Sequence, residues 1–177
     1  EFAQIQDIFD ANTNAARKKP FAIRAVMHGV IDNDMGYLER FSGLRNGESS
    51  VVWESSVGGY PLTLLGIESR NIVRRGRIPM DGPDAWTGGT LFPLSAKKVS
   101  RAINAASGNR PVVVLANLSG FDGSPESLRM LQLEYGAEIG RSIVKFDGPI
   151  VFVVIGRYHG GAYVVFSKKL NPNLRAL

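Results

Sequence analysis

Residues 151–166 read VFVVIGRYHGGAYVVF. Val151–Ile155 is an apolar, mostly β-branched run ended by Gly156, the pattern of a strand buried on both faces. Arg157, Tyr158 and His159 follow, then Gly160, Gly161 and Ala162, and a second apolar run opens at Tyr163. Gly-Gly-Ala carries no bulky side chain, so a ligand can approach the main chain there and N–H groups can point at an oxygen. A helix opened by Ala162 would add its dipole to that pull on negative charge. Two readings stand from these residues: a glycine turn between core elements, or an oxyanion hole made of main chain.

The chain has 177 residues, enough for one domain with a proper core. Its 44% hydrophobic and 21% charged residues are ordinary for a globular protein. With no cysteine there is no disulfide and no thiolate metal site, and two histidines, His28 and His159, make no histidine-rich site, so no metal is expected. No apolar run approaches the length that spans a bilayer and no signal-peptide pattern opens the chain, so no membrane partner is expected and a cytoplasmic setting fits. The net charge of +5 favours anionic partners. Its basic clusters, Arg17-Lys18-Lys19 and Arg74-Arg75-Gly76-Arg77, read as solvated loops with no nucleic-acid motif beside them, so no nucleic acid is expected.

Working outward, residues 1–20 read as an arm or linker, with Ile5, Ile8 and Phe9 at helical spacing before a basic, proline-ended stretch. Residues 21–30 place Ile23, Val26, Met27 and Val30 on one helical face. Asp32-Asn33-Asp34 is a turn and lacks the glycine and glutamate spacing of a calcium loop. Residues 50–57 and 62–67 are strands joined into a hairpin by Gly58-Gly59-Tyr60-Pro61. Residues 74–89 form a long loop, a kind that is often functional. Ser95 is expected to cap a helix reaching Ala106, and 112–116 is a buried strand. Residues 127–144 read as one helix with Leu128, Leu131, Tyr135, Ile139 and Ile143 on its core face. Buried strands alternating with helices mean an α/β fold with a largely parallel sheet, whose ligands bind at the carboxyl ends of the strands. Two glycine-rich loops lie at such ends, at 120–124 and 156–162.

GGYPLTLLGIESR (58–70), TGGTLFPLSAKKVSRAI (87–103), PVVVLANLSGFDGS (111–124), LEYGAEIGRSIV (133–144) and HGGAYVVF (159–166) occur together in this order. As a set they resemble the carboxyltransferase domain of biotin-dependent acyl-CoA carboxylases, most of all the fused multidomain acetyl-CoA carboxylase type. The resemblance implies a ClpP/crotonase-like spiral of mostly parallel strands with packing helices. It implies that residues 21–177 are the C-terminal of two subdomains, incomplete at the C-terminal end. The implied activity moves a carboxyl group from carboxybiotin to the α-carbon of an acyl-CoA, as in making malonyl-CoA from acetyl-CoA for fatty acid biosynthesis. Carboxybiotin rides on a separate carrier domain, and the other implied partners are biotin carboxylase, the N-terminal carboxyltransferase subdomain and further copies in a homodimer or higher oligomer.

By the same resemblance, Gly161 and Ala162 offer N–H groups to the ureido oxygen of biotin, and Gly160 permits the close approach. Phe121, Asp122 and Gly123 shape the facing loop. In fused eukaryotic-type relatives an arginine directly precedes the Gly-Gly. His159 stands there in this chain and Arg157 lies two residues earlier, so both are candidates for the substrate carboxylate. Two alternatives remain. One is another crotonase-fold acyl-CoA enzyme, a hydratase or hydrolase, using Glu126 or Glu134 as acid or base. The other is a non-catalytic dimerisation half. An isolated half is expected to show no turnover.

Overall fold

The computed structural model describes residues 2–177. The chain opens with α1 (Ile5–Phe9), a 3-10 turn (Ala15–Arg17) and α2 (Ile23–His28), followed by β1 (Leu38–Arg40), β2 (Ser50–Val57) and β3 (Tyr60–Ile67). Short strands β4 (Ile72–Val73), β5 (Ala85–Trp86) and β6 (Thr90–Leu91) lead to α3 (Pro93–Ala106). Then come β7 (Val112–Leu118), β8 (Gly120–Phe121), α4 (Pro125–Arg129), α5 (Gln132–Lys145), β9 (Ile150–Tyr158), α6 (Gly161–Val165) and β10 (Leu174–Ala176).

Six strands form the main sheet in the order β1-β2-β3-β7-β9-β10. β1, β2 and β3 are antiparallel; β3, β7, β9 and β10 run parallel. The apolar run of β3 is buried on both faces from Leu62 onward, whereas in β7 and β9 Val113, Val151, Val153 and Val154 are only half-buried, so the expectation of burial on both faces holds in full for β3 alone. Val52, Leu65, Val114 and Phe152 sit side by side across four strands and face α3 and α5. On the opposite face Val51, Trp53, Leu64 and Leu115 meet Ile8, Phe21, Ile23 and Met27 from the N-terminal segment. Ile8 is buried in this second layer, so the arm packs against the sheet.

The hairpin loop is shorter than the sequence reading, because β3 already starts at Tyr60 and includes Pro61. Gly58 and Gly59 have φ of 58° and 80°, the pair of left-handed residues that a two-residue turn of this hand needs. The Asp32 carboxylate accepts from both of their N–H groups, at 2.9 and 2.8 Å, which gives the acidic turn a structural job.

Three expectations need correction. The helix expected to start at Ser95 starts at Pro93, where the missing N–H is harmless; Ser95 sits in the first turn and its hydroxyl accepts from the Phe92 N–H at 2.7 Å. The single helix expected over 127–144 is two helices. Ser124 caps α4 by accepting from the Ser127 N–H, and the chain breaks at Leu131, whose φ is 64°. Leu128 and Leu131 are therefore exposed, while Gly136, Ile139, Ser142 and Ile143 form the buried face of α5. Finally, β9 does not stop at Gly156 but runs through it to Tyr158.

Candidate active site

The glycine loop is built where β7 and β9 part company. Their ladder runs regularly from Val112↔Ile150 to Ala116↔Val154, then jumps to Leu118↔Tyr158. Two steps along β7 face four along β9, so β9 bulges. Asn117 fills the bulge. Its Oδ1 accepts from the Arg157 N–H at 3.2 Å, and a Cβ on Gly156 would lie 2.4 Å from that oxygen. Gly156 is there for close approach, not to end a strand.

Past the bulge β9 crosses over the end of β7. The His159 N–H donates to the Leu118 carbonyl at 3.2 Å, and His159 Nδ1 lies 3.4 Å from the Ser119 carbonyl. Arg157 Nη1 donates to Ser119 Oγ at 3.0 Å. Gly160 then takes φ 64°, ψ −149°, a conformation essentially reserved for glycine. Gly161 opens α6. Its Cα side is covered by the Phe121 ring, which a Cβ would meet at 2.6 Å, and the same ring lies against Gly136 of α5.

The structure thus brings together Phe121, Arg157, His159, Gly160, Gly161 and Ala162. Gly160 and Gly161 are exposed, whereas Ala162 is fully buried. As the first two residues of α6, Gly161 and Ala162 have N–H groups with no carbonyl four residues back in the helix. With only five residues, α6 has little dipole to add, and any anion affinity rests on those N–H groups themselves. In the facing loop Asp122 turns inward: its carboxylate accepts from the Ser124 N–H at 3.2 Å and from the Ser124 hydroxyl. Gly123 is exposed, with open space where a side chain would stand.

Tyr158 fastens α6 to β9. Its hydroxyl donates to the Phe166 carbonyl at 3.0 Å and lies 3.4 Å from that of Tyr163. Burial, helped by the neighbouring Tyr163, holds the phenol above its ordinary pKa, so it stays a donor at neutral pH. Tyr158→Phe should lower the unfolding free energy by about 1 kcal/mol in a denaturant titration. An unchanged value would mean that water replaces the hydroxyl.

The two carboxylates considered as acid or base are both engaged. Glu126 forms a two-pronged ion pair with Arg74, and Glu134 pairs with Arg141 on the surface of α5. Among the described residues no group of three or more His, Cys, Asp or Glu side chains is placed to hold a metal. A cleft of about 590 Å³ lies elsewhere, between the arm and α2, and shares no lining residue with the glycine loop. The loop itself is an open shelf. Sequence reasoning missed Asn117 and Ser119, and within the 156–162 loop it missed the close approach at Gly156 and the bracing hydroxyl of Tyr158; a lone asparagine in an apolar strand was the available signal.

The family model described as the carboxyl transferase domain matches residues 6–175. The chain is 30% identical over 158 residues to acetyl-CoA carboxylase of Saccharomyces cerevisiae, covering 82% of this chain and 7% of the relative. It is 28% identical over 160 residues to acetyl-CoA carboxylase of Schizosaccharomyces pombe, covering 83% and 7%. The chain therefore spans only about 7% of the length of these curated relatives. Among solved structures it superposes on the β subunit of P. aeruginosa geranyl-CoA carboxylase with a TM-score of 0.70 at 21% identity, over 90% of this chain and 27% of that one. Transcarboxylase 12S gives 0.71 at 19% identity, over 90% and 30%. The fold is accordingly the crotonase-like α/β architecture of these carboxyltransferases. With the family match running over nearly its whole length, the chain belongs to the carboxyl transferase domain family.

Proposed function

We propose that this chain is the biotin-facing part of the carboxyltransferase of a biotin-dependent acyl-CoA carboxylase, acting in the transfer of a carboxyl group to the α-carbon of an acyl-CoA. Relatives named acetyl-CoA carboxylase support acetyl-CoA as the acyl-CoA, with malonyl-CoA as product. The observation that carries the reading is the bare, exposed main chain of Gly160–Gly161, with N–H groups unpartnered within α6, at the carboxyl ends of β7 and β9. This shelf fits a flat ring that presents one oxygen, the shape and polarity of biotin's ureido group. When bound, carboxybiotin supplies the activated carboxyl group.

The residues of this chain would act as follows. The Gly161 N–H donates to an oxygen that gains negative charge, a preorganised contact that strengthens as water is excluded. Gly160 contributes by having no side chain in the way. The Ala162 N–H lies behind, in a fully buried residue, and joins only when the groups covering it move. Arg157 is the better candidate for a substrate carboxylate. Its planar guanidinium matches a carboxylate, it is exposed, and Ser119 holds it at the shelf, whereas His159 Nδ1 is turned to the Ser119 carbonyl. The carrier domain, biotin carboxylase, an N-terminal carboxyltransferase subdomain closing the open side of the shelf, and a dimeric or larger assembly complete this reading.

The test compares Gly161→Pro with Gly161→Ala in the complete carboxylase carrying this chain, by biotin-dependent decarboxylation of malonyl-CoA. Both add a Cβ against Phe121. Only proline removes the N–H, at a first-helical-turn position where proline is tolerated. The proline variant should fall about a hundredfold or more below the alanine variant. Equal activities would reduce Gly160–Ala162 to a turn.

A further inference from the structure

We infer that Asn117 is the positioning residue that sets the glycine loop in place, an inference that rests on the oxyanion-hole reading above. Asn117 is 5% exposed, in a strand otherwise made of apolar side chains. The bulge opposite it removes the regular ladder, and the Arg157 N–H that loses its strand partner is taken by the Asn117 side chain instead. The side chain thus does the work of a missing main-chain acceptor. Gly156 makes this possible by leaving room for the amide, which no Cβ at that position would allow.

The geometric consequence reaches the shelf. The bulge takes up two residues of β9, and a regular strand advances about 3.3 Å per residue. Drawn straight, β9 would carry His159 and the glycines roughly 6–7 Å farther along. The His159–Leu118, Arg157–Ser119 and Gly161–Phe121 contacts would all be lost. Asn117 touches none of the groups offered to substrate. It acts through the register of β9, and so through the place of the Gly161 N–H and of the Arg157 guanidinium together.

The test uses the complete carboxylase carrying this chain, with Asn117→Ala, Gly156→Ala and the double variant. Two quantities are read: kcat and KM for malonyl-CoA in biotin-dependent decarboxylation, and amide hydrogen exchange across residues 157–162. Each single variant should lower kcat by about tenfold or more, as a small misplacement of reacting groups does, and raise KM for malonyl-CoA as the Arg157 guanidinium leaves its place. Each should speed exchange at 157–162 while leaving the β2–β3 hairpin protected. The double variant should be no worse than the singles, because both break one contact. Wild-type kcat and exchange in Asn117→Ala would overturn the inference, as would single effects that simply multiply in the double variant. A merely structural role predicts faster exchange throughout the sheet and an unaltered kcat per folded molecule, which also overturns it. Failure of the hole reading shows separately, as equal activity of Gly161→Pro and Gly161→Ala, while the exchange at 157–162 still reports on Asn117.

Discussion

Glu126→Leu should destabilise the fold by about 3–5 kcal/mol, because it strands a buried guanidinium. The Arg74 side chain is only 4% exposed and that of Glu126 14%. Arg74 Nη1 reaches one carboxylate oxygen at 2.6 Å and Nη2 the other at 2.8 Å; Nη1 also donates to the Pro83 carbonyl, and the guanidinium lies 4.1 Å over the Trp86 ring. The hydrogen bonds to Glu126 raise the Arg74 pKa above its already high ordinary value; with them gone the guanidinium still keeps its proton, as arginine does in proteins, so the buried charge remains. In a chain of this size the loss corresponds to a fall in Tm of about 6–20 °C. Arg74→Met combined with Glu126→Leu should recover most of the stability, since an apolar pair leaves no buried charge behind. A loss below about 1 kcal/mol would mean that water solvates the pair like a surface ion pair. The same variants bear on chemistry. The hydratase or hydrolase alternative needs a free glutamate, and for Glu126 it predicts lost activity at unchanged stability. With both carboxylate oxygens on Arg74, the structure favours the opposite pattern, in which Glu126 ties the 74–89 loop to α4.

What was legible in the sequence was whatever a short apolar run or a glycine pair decides locally. The runs in β3, β7 and β9 leave no polar face, so they had to be central strands, and Gly58-Gly59 had to turn a hairpin. The glycine loop could be placed at the carboxyl end of β9 for the same reason. Where a long-range partner decides, the same rules misled. Leu128 and Leu131 keep the helical spacing of α5 but lie before and at the break, and they face solvent. Arg74 belongs to what reads as a solvated basic cluster, yet it is buried by a glutamate 52 residues away. Gly156 looks like a strand terminator until Asn117, on another strand, is brought against it. β1 and β10, three residues each, are strands only because β2 and β9 offer them an edge. The site inherits this division. Its glycines are visible in one stretch, but the bulge that aims them exists only once β7 and β9 are paired.

A second buried cation makes the stability of the chain depend on pH, and the direction follows from linkage. Lys98 of α3 is 2% exposed, with Nζ donating to the Ser50 carbonyl at 2.7 Å and the Gly47 carbonyl at 3.4 Å. Burial lowers its pKa to about 8; Glu39 and Glu48 pull it back up, and Arg24 pushes it further down. The unfolded lysine titrates at the ordinary 10.5, so between the two values the unfolded chain binds more protons than the folded one. Stability must then rise with pH from about 8 upward, by about 3 kcal/mol across the whole window. Near pH 10 the raised phenol of Tyr158 works the other way, because there the folded state holds its proton longer, so the clean interval ends just below that. Urea titrations at pH 7.5, 8.5 and 9.5 should show the climb in the wild type and lose it in Lys98→Met. At pH 7.5 that variant should lie within about 2 kcal/mol of the wild type, since losing the buried ammonium offsets the loss of the donor to the Ser50 and Gly47 carbonyls. A flat wild-type profile would show that the ammonium is solvated where it sits. A climb that persists in Lys98→Met would belong to another group. The outcome fixes how firmly α3 holds the 47–50 segment, whose Ser49 carbonyl accepts the Glu68 N–H at the carboxyl end of β3, the edge of the sheet on which the glycine shelf is built.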